Sequence, residues 1–137
     1  MTAACLACLR EDAVGRSGYH AQCVRRLFGT PGVPEVDVEL GKLHALGLAM
    51  AGRTSLSGVQ RKISVGLSTD RMTLQLCVEG GSHILKPQAQ SYPALPENEH
   101  LTMQLAAESQ IEVPPNAFNQ QYLRTKKEKL GHLICPI

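Results

Sequence analysis

The sequence predicts an α+β fold, in which an antiparallel sheet carries one packed helix and follows a small N-terminal region rich in Cys and His. Alternating apolar and polar residues over 62–78, interrupted by a turn, predict the sheet. A single helical segment at residues 96–110 predicts the packed helix. Because the strands precede the helix instead of alternating with several helices, the order is typical of the α+β class.

Composition limits the class of protein further. A length of 137 residues suits one domain, and 43% hydrophobic with 4% aromatic residues predicts an aliphatic core. A net charge of +2 gives no argument for direct nucleic-acid or membrane binding. The sequence has no apolar run of about 20 residues and no signal-peptide pattern, so we expect a cytoplasmic protein.

Four regions differ in composition. Residues 1–30 form the Cys/His-rich N-terminal region, and residues 31–54 form a Pro/Gly-rich linker followed by leucines near helical spacing. Residues 55–115 contain the predicted sheet and helix. Residues 116–137 show no clear periodicity and read as a divergent tail.

Three short strands are predicted within the third region. The segments "RKISVGL" and "MTLQLCV" alternate with period two around the turn "STDR", as half-buried antiparallel strands do. Their apolar positions are Ile63, Val65, Leu67, Met72, Leu74, Leu76 and Val78. The segment "SHILKP" is a third strand that ends at Pro87, since proline cannot donate to a sheet ladder.

The predicted helix begins near Pro96, which suits the first turn of a helix. Glu97 and Glu99 are favoured there by the positive end of the helix dipole. The following segment "IEVPP" is predicted to be an extended strand closed by two prolines.

The N-terminal region contains a candidate metal site. Cys5 and Cys8 form a CxxC pair, His20 and Cys23 form an HxxC pair, and eleven residues separate the pairs. Two such pairs at short spacing are typical of a closed structural Zn²⁺ site, because thiolates and imidazole suit this ion. The alternative is a set of ordinary buried thiols beside a surface histidine.

The stretch "SLSGVQRK" is a candidate phosphate-binding loop. Backbone N–H groups around Gly58, helped by Ser55, Ser57 and Lys62, could hold anionic oxygens. The stretch matches neither a Walker A loop nor a GxGxxG loop. An ordinary turn into a strand is therefore the alternative.

Two residues downstream favour the phosphate interpretation. Lys86 ends the third predicted strand, and Glu99 lies in the first turn of the helix. A glycine-containing loop, a strand lysine and a helical glutamate follow one another in this order in protein-kinase N-lobes, where the glutamate orients the lysine by an ion pair. The alternative is a solvated lysine and a surface acid.

The segments "SLSGVQRKISVGL", "SHILKP", "YPALPENEHLTMQLA" and "IEVPP", in this order, resemble the HipA-like serine/threonine kinases of bacterial toxin–antitoxin systems. The short HipT-type members also open with a compact region similar to "GYHAQCVRRLFGT". The resemblance covers about residues 5 to 115.

The resemblance implies roles for individual residues. Lys86 would contact ATP and Glu99 would support it, with Mg²⁺ bound in the full-length family. Ser55 and Ser57 would be autophosphorylated, which switches such kinases off. The loop over the ATP phosphates would comprise Ser57, Gly58, Val59, Gln60 and Lys62.

The resemblance also implies partners: a DNA-binding antitoxin, a small third protein in HipT systems, and an aminoacyl-tRNA synthetase as substrate. A Cys/His cluster near the N-terminus is common in the family, which agrees with the candidate zinc site.

The resemblance ends near Pro115, and no catalytic loop or Mg²⁺-binding aspartate can be assigned to the remaining residues. We therefore expect a kinase N-lobe without its catalytic C-lobe, inactive as this chain, and a frameshift or truncation near codon 116. Two other functions remain open at this point: a non-enzymatic interaction module or decoy within a toxin–antitoxin complex, and a small zinc-binding module.

Overall fold

The computed structural model describes residues 3–38, 62–77, 79–88, 92–122 and 129–137. These residues form two helices and six strands. In chain order the elements are α1 (Ala21–Phe28), β1 (Glu35–Asp37), β2 (Ile63–Leu67), β3 (Thr73–Leu76), β4 (His83–Pro87), α2 (Leu95–Glu108), β5 (Ala117–Tyr122) and β6 (Lys129–Pro136). The predicted α+β class is confirmed. Of the described helices, none is long and apolar enough to cross a membrane.

All six strands belong to one sheet, in the order β1-β3-β2-β4-β6-β5. Four neighbouring pairs are antiparallel, as predicted, whereas β1 and β3 run parallel. The sheet is therefore mixed. The parallel strand comes from residues expected to be linker, where the N–H of Glu35 donates to the Met72 carbonyl at 2.8 Å.

The predicted strands β2, β3 and β4 form, with one shift at the start of β3. Val65 and Leu74 are fully buried, as their alternating positions predict. Met72, expected on the same face, is instead 68% exposed. It still belongs to the turn, because its N–H donates to the Asp70 carboxylate and β3 begins one residue later.

The structure differs most from expectation after α2. Residues 111–116 carry no regular structure, so the strand expected at "IEVPP" is absent. Prolines cannot donate to a ladder, and the carbonyl of Pro114 accepts from the Asn116 side chain instead. Beyond this segment, β5 and β6 form an antiparallel hairpin, and β6 lies between β4 and β5.

The two faces of the sheet have different partners. On one side, here called the core face, Val65, Leu85 and Ile134 share a hydrophobic core with α1 and the N-terminal region. Alternation along the strands places Ile84, Lys86, Leu133 and Phe118 on the opposite side, here called the α2 face. The N-terminal region is thus continuous with the core of the sheet.

Helix α1 is fixed at its C-terminal end. Gly29 caps it in the left-handed conformation, with φ 66° and its N–H donating to the Arg25 carbonyl, a geometry that favours glycine. The buried ring of His83 donates from Nε2 to the Leu27 carbonyl at 2.6 Å. This bond joins the end of α1 to the start of β4.

Candidate functional site

Lys86 and Glu99 form an ion pair between the sheet and the helix. Strand β4 places Lys86 on the α2 face near the end of the strand, and the beginning of α2 places Glu99 opposite it. The ammonium Nζ of Lys86 donates to Oε1 of Glu99, and the two side chains are only 19% and 27% exposed. Because both are largely buried, the contact restricts the lysine to one position.

A buried polar network fixes the same turn of α2. Nδ1 of His100 donates to Oδ1 of Asn116 at 2.6 Å, and the Gln104 amide donates to that oxygen at 3.1 Å. The Asn116 amide nitrogen donates to the Pro114 carbonyl, so its oxygen is the atom that faces the helix. Burial lowers the pKa of His100, and its imidazole is therefore neutral, with the proton on Nδ1.

The α2 face of β2 and β3 presents small side chains. Ser64 on β2 pairs with Ile84, and alternation places Gly66 and Cys77 on the same α2 face. All of them are partly exposed. Ser64 is the nearest of them to Lys86 in register, so a small, partly exposed residue on the neighbouring strand lies beside the fixed ammonium.

Cys135 lies buried on the same face, opposite Ile84. Burial raises the pKa of its thiol, and the nearby Lys86 only partly opposes this effect. The thiol is therefore protonated at neutral pH, so it adds no charge beside the ion pair.

Most of the candidate phosphate loop lies outside the described residues, including Ser55, Ser57, Gly58, Val59 and Gln60. Lys62 is described: it is exposed and directly precedes β2. The structure thus brings Lys86 and Glu99 together and places Lys62 at the entry to the neighbouring strand.

The four predicted metal ligands converge. The sulfur atoms of Cys5, Cys8 and Cys23 and a ring nitrogen of His20 all lie within 4.8 Å of one another. Nδ1 of His20 is 3.3 Å from the Cys8 sulfur and 3.9 Å from the Cys23 sulfur. Tetrahedral zinc with Zn–S bonds of about 2.3 Å sets its ligand atoms roughly 3.7 Å apart. The donor set and its spacing therefore fit zinc.

Two local structures position these ligands. A turn after Cys5 brings Cys8 back towards it, with the Leu9 N–H donating to the Cys5 carbonyl at 2.9 Å. His20 is the N-cap residue of α1, and Cys23 lies in the first turn of that helix. The HxxC spacing therefore places both side chains at one helix end.

His20 is oriented for ligation by its other nitrogen. Nε2 donates to the Asp12 carbonyl, which leaves the Nδ1 lone pair directed at the thiols. Metal-binding histidines commonly make such a second hydrogen bond, because it fixes the tautomer and the ring orientation.

The electrostatics of the cluster also favour a cation. Burial of Cys5 opposes its ionisation, but the N–H groups of Cys8, Ala7 and His20 outweigh this effect, and its pKa is lowered. Burial, followed by the charge of Cys5 and Cys8, raises the pKa of Cys23 to about 12. Negative charge on one sulfur therefore opposes ionisation of the next, an opposition that a bound cation removes.

Comparison with known proteins identifies the family. The family model described as HipA-like C-terminal domain matches residues 54–127, which is more than half of the chain. The chain belongs to the HipA-like family. The match includes Lys86, Glu99 and the candidate phosphate loop, and it continues beyond Pro115, where the resemblance was expected to end.

Curated relatives of this HipA-like chain include two named as kinases. A Haemophilus influenzae protein named "Putative kinase" is 37% identical over 64 residues, covering 47% of this chain and 18% of the relative. "Putative kinase Y4mE" of Sinorhizobium fredii is 36% identical over 63 residues, covering 46% and 15%. The chain thus spans less than a fifth of their length.

A third similarity is shorter. Riboflavin biosynthesis protein RibBA of Staphylococcus saprophyticus is 57% identical over 30 residues, which cover 22% of this chain and 8% of that protein. A match of this length supports no statement about function.

Sequence reasoning missed the network around His100 and Asn116. Asn116 directly follows the predicted strand "IEVPP" and begins the region expected to be a divergent tail, where a polar residue gives no signal of a helix contact. His100 lies next to Glu99, but only the packing of α2 against residues 113–116 shows that its ring is buried. A buried histidine on a helix is found from the fold, and not from residue spacing.

Proposed function

We propose that this chain supplies the nucleotide-binding lobe of a HipA-like serine/threonine kinase, with the phosphates of ATP held beside Lys86. The observation that carries the proposal is the largely buried Lys86–Glu99 ion pair on the α2 face, inside the segment matched by the family. Burying two charges costs free energy, so such pairs are weak evidence of a purely stabilising role. A role in positioning the lysine for an anion gives the buried pair a reason beyond stability.

The loop residues complete the proposed site. Backbone N–H groups around Gly58, together with Ser57, Val59, Gln60 and Lys62, cover the phosphates, and Mg²⁺ accompanies ATP as its counter-ion. Ser55 and Ser57 are the proposed autophosphorylation sites. Kinase action on an aminoacyl-tRNA synthetase, in a cytoplasmic toxin–antitoxin system, is the setting that we propose for the full-length enzyme.

Phosphoryl transfer itself is assigned to no residue of this chain. The reaction requires a residue that positions the attacking hydroxyl and carboxylates that hold Mg²⁺. No segment of the sequence supplies either motif. We propose nucleotide binding without transfer for these 137 residues, and contact with the antitoxin or the small third protein as an interaction module.

Binding of a fluorescent ATP analogue tests the proposed site. Lys86→Ala is expected to weaken binding at least about tenfold, which corresponds to about 1.4 kcal/mol. Glu99→Gln is expected to have a smaller effect, because the lysine remains but loses its orienting partner. Arg10→Ala is the matched control, since this cation pairs with Glu108 at 3.8 Å on the open surface. Equal affinity of Lys86→Ala and wild type would refute the site.

Incubation of the purified chain with labelled ATP tests the absence of transfer. We expect no label on Ser55 or Ser57. Label at either serine in the wild type, lost in Lys86→Ala, would refute the inactivity and support the ATP site. Capture of the cognate antitoxin at micromolar concentration tests the interaction module separately.

A second proposed function is structural zinc binding by Cys5, Cys8, His20 and Cys23, supported by the convergence of their ligand atoms. Such an ion contributes free energy to folding, and with four protein ligands it leaves no open position for catalysis.

Metal analysis tests the zinc site. We expect one zinc per chain in the wild type and loss of the metal in Cys8→Ser. Cys77→Ser is the matched control, because Cys77 is also partly buried but donates to the Glu79 carbonyl away from the cluster. Zinc retained by Cys8→Ser, or lost equally by Cys77→Ser, would contradict the assignment.

A further inference from the structure

Strand β5 forms one edge of the sheet, and a free edge presents unpaired N–H and C=O groups. In an antiparallel ladder, alternate residues direct both groups to the same side. Phe118 directs both of its groups away from β6. Its N–H donates to the Leu6 carbonyl at 2.9 Å, and its carbonyl accepts from the Tyr19 hydroxyl at 2.9 Å.

Both partners of Phe118 come from the Cys/His region. Leu6 lies between Cys5 and Cys8, and Tyr19 immediately precedes His20. The Leu6 N–H donates to the Gly18 carbonyl at 2.9 Å, so the two arms of the region are also bonded to each other. Each contact with the β5 edge is therefore one residue away from a candidate metal ligand.

The Tyr19 contact is buried. Tyr19 is 2% exposed, and it shares the core with Cys5 and Ala117, which are fully buried. A buried hydroxyl–carbonyl bond is costly to leave unmade, because none of the strands that the structure describes lies beside the Phe118 carbonyl on that side.

We propose that the Cys/His site is an edge clamp: bound metal fixes Leu6 and Tyr19 against Phe118 and thereby caps the edge of β5 at that residue. The clamp rests on the proposed metal site. Strand β5 pairs with β6, and β6 pairs with β4, which carries Lys86. Metal at the clamp therefore stabilises the outer half of the sheet to which the proposed nucleotide site belongs.

Amide hydrogen exchange measured by NMR tests the clamp, because the Phe118 amide donates to Leu6 of the Cys/His region, and its exchange slows when the Leu6 and Tyr19 contacts hold this edge together. In the zinc-loaded chain this amide is expected to exchange slowly. Removing zinc with a chelator is expected to speed its exchange at least about tenfold. The Cys77 amide, which donates to the Ser64 carbonyl on the other side of β4, is the internal control and is expected to change little.

A variant separates the clamp from general loss of structure. Tyr19→Phe keeps all four ligands, so we expect one zinc per chain together with about threefold to tenfold faster exchange at Phe118. Tyr92→Phe removes a hydroxyl from an exposed tyrosine and is expected to change nothing. If chelation speeds the exchange of every amide by the same factor, the zinc-loaded Tyr19→Phe chain gives the deciding measurement. An unchanged exchange rate at Phe118 in that chain overturns the clamp.

The outcomes distinguish the clamp from the metal site. Zinc bound by the wild type, with Phe118 exchange unaffected by its removal, overturns the clamp and leaves the site intact. A wild-type chain that binds no zinc overturns both. Faster exchange at Phe118 in the chelated chain and in Tyr19→Phe supports both.

Discussion

The two ion pairs found among the described residues differ in burial. Arg10 and Glu108 are 71% and 76% exposed, so water screens their attraction and the pair contributes little to stability. Lys86 and Glu99 are mostly buried, and their contact fixes where the ammonium lies. An ion pair on the surface is therefore a weak contact, whereas the buried pair on the α2 face holds the Lys86 ammonium in place.

His100 predicts a pH-dependent stability. Its pKa in the folded chain lies below the ordinary 6.5, because burial disfavours the charged ring. The unfolded chain therefore binds the proton first, and the free energy of unfolding falls as the pH drops below about 6.5. His100→Gln keeps a donor for Asn116 but cannot titrate, so its stability should depend less on pH. Urea unfolding of both chains at pH 7.5 and 5.5 checks this, and identical pH dependence would contradict it.

Gly81 is a position where a single methyl group should matter. A Cβ there would lie 2.0 Å from the Ser64 hydroxyl oxygen and 3.0 Å from the Val65 carbonyl oxygen. Gly81→Ala should therefore lower the free energy of unfolding by about 1–3 kcal/mol, as overpacking does. Gly32→Ala is the control, because no atom lies within 4 Å of its added Cβ. Thermal unfolding compares them, and equal stability of the two variants would refute the steric argument.

Among the elements, β6 shows why a buried strand can escape a search for alternation. Leu133 lies on the α2 face and Ile134 on the core face, and both are fully buried. A strand covered on both sides reads as a continuous apolar run, here "LIC", whereas β2 and β3 alternate. The absence of period two over residues 133–135 thus reflects burial on two faces.

Strand β6 should be sensitive to truncation of its side chains. Leu133→Ala and Ile134→Ala should each cost about 2–5 kcal/mol, because each leaves a cavity in a packed environment. Ile137→Ala, at a position 73% exposed, should cost little. Denaturant titration measures all three variants. A similar small cost at the three positions would show that β6 is not packed as described.

At the scale of the whole molecule, the N-terminal region and the sheet form one hydrophobic core. Tyr19, Val24 and Leu27 share that core with Val65 and Ile134. The Cys/His region is therefore not an independent module in this chain. The Cys/His region and the sheet belong to one folding unit.

The C-terminal hairpin should be required for that unit to fold. A chain ending at Pro115 lacks β5 and β6, and with them the buried Ala117, Leu133 and Ile134. We expect it to lose its cooperative thermal transition and to bind a hydrophobic dye. Circular dichroism during heating, compared with the full chain, measures this. A sharp transition in the shortened chain would contradict the role given to the hairpin.

The sequence by itself determined the features that depend on local patterns. Alternation located β2, β3 and β4, the helix signals located α2, and the order of Lys86 and Glu99 anticipated their ion pair. The paired Cys and His spacing anticipated a cluster of four ligands. These patterns appear in the sequence because one-sided burial and ligand geometry act over a few neighbouring residues.

Only the tertiary structure decided which distant segments meet. It placed β6 between β4 and β5 and paired β1 with β3. It also buried His100 against Asn116 and brought Leu6 and Tyr19 to the edge of the sheet at Phe118. The physical reason is that strand order and edge contacts depend on pairing energies summed over segments more than a hundred residues apart. No local periodicity records those energies, because each segment has the same sequence whichever neighbour it packs against.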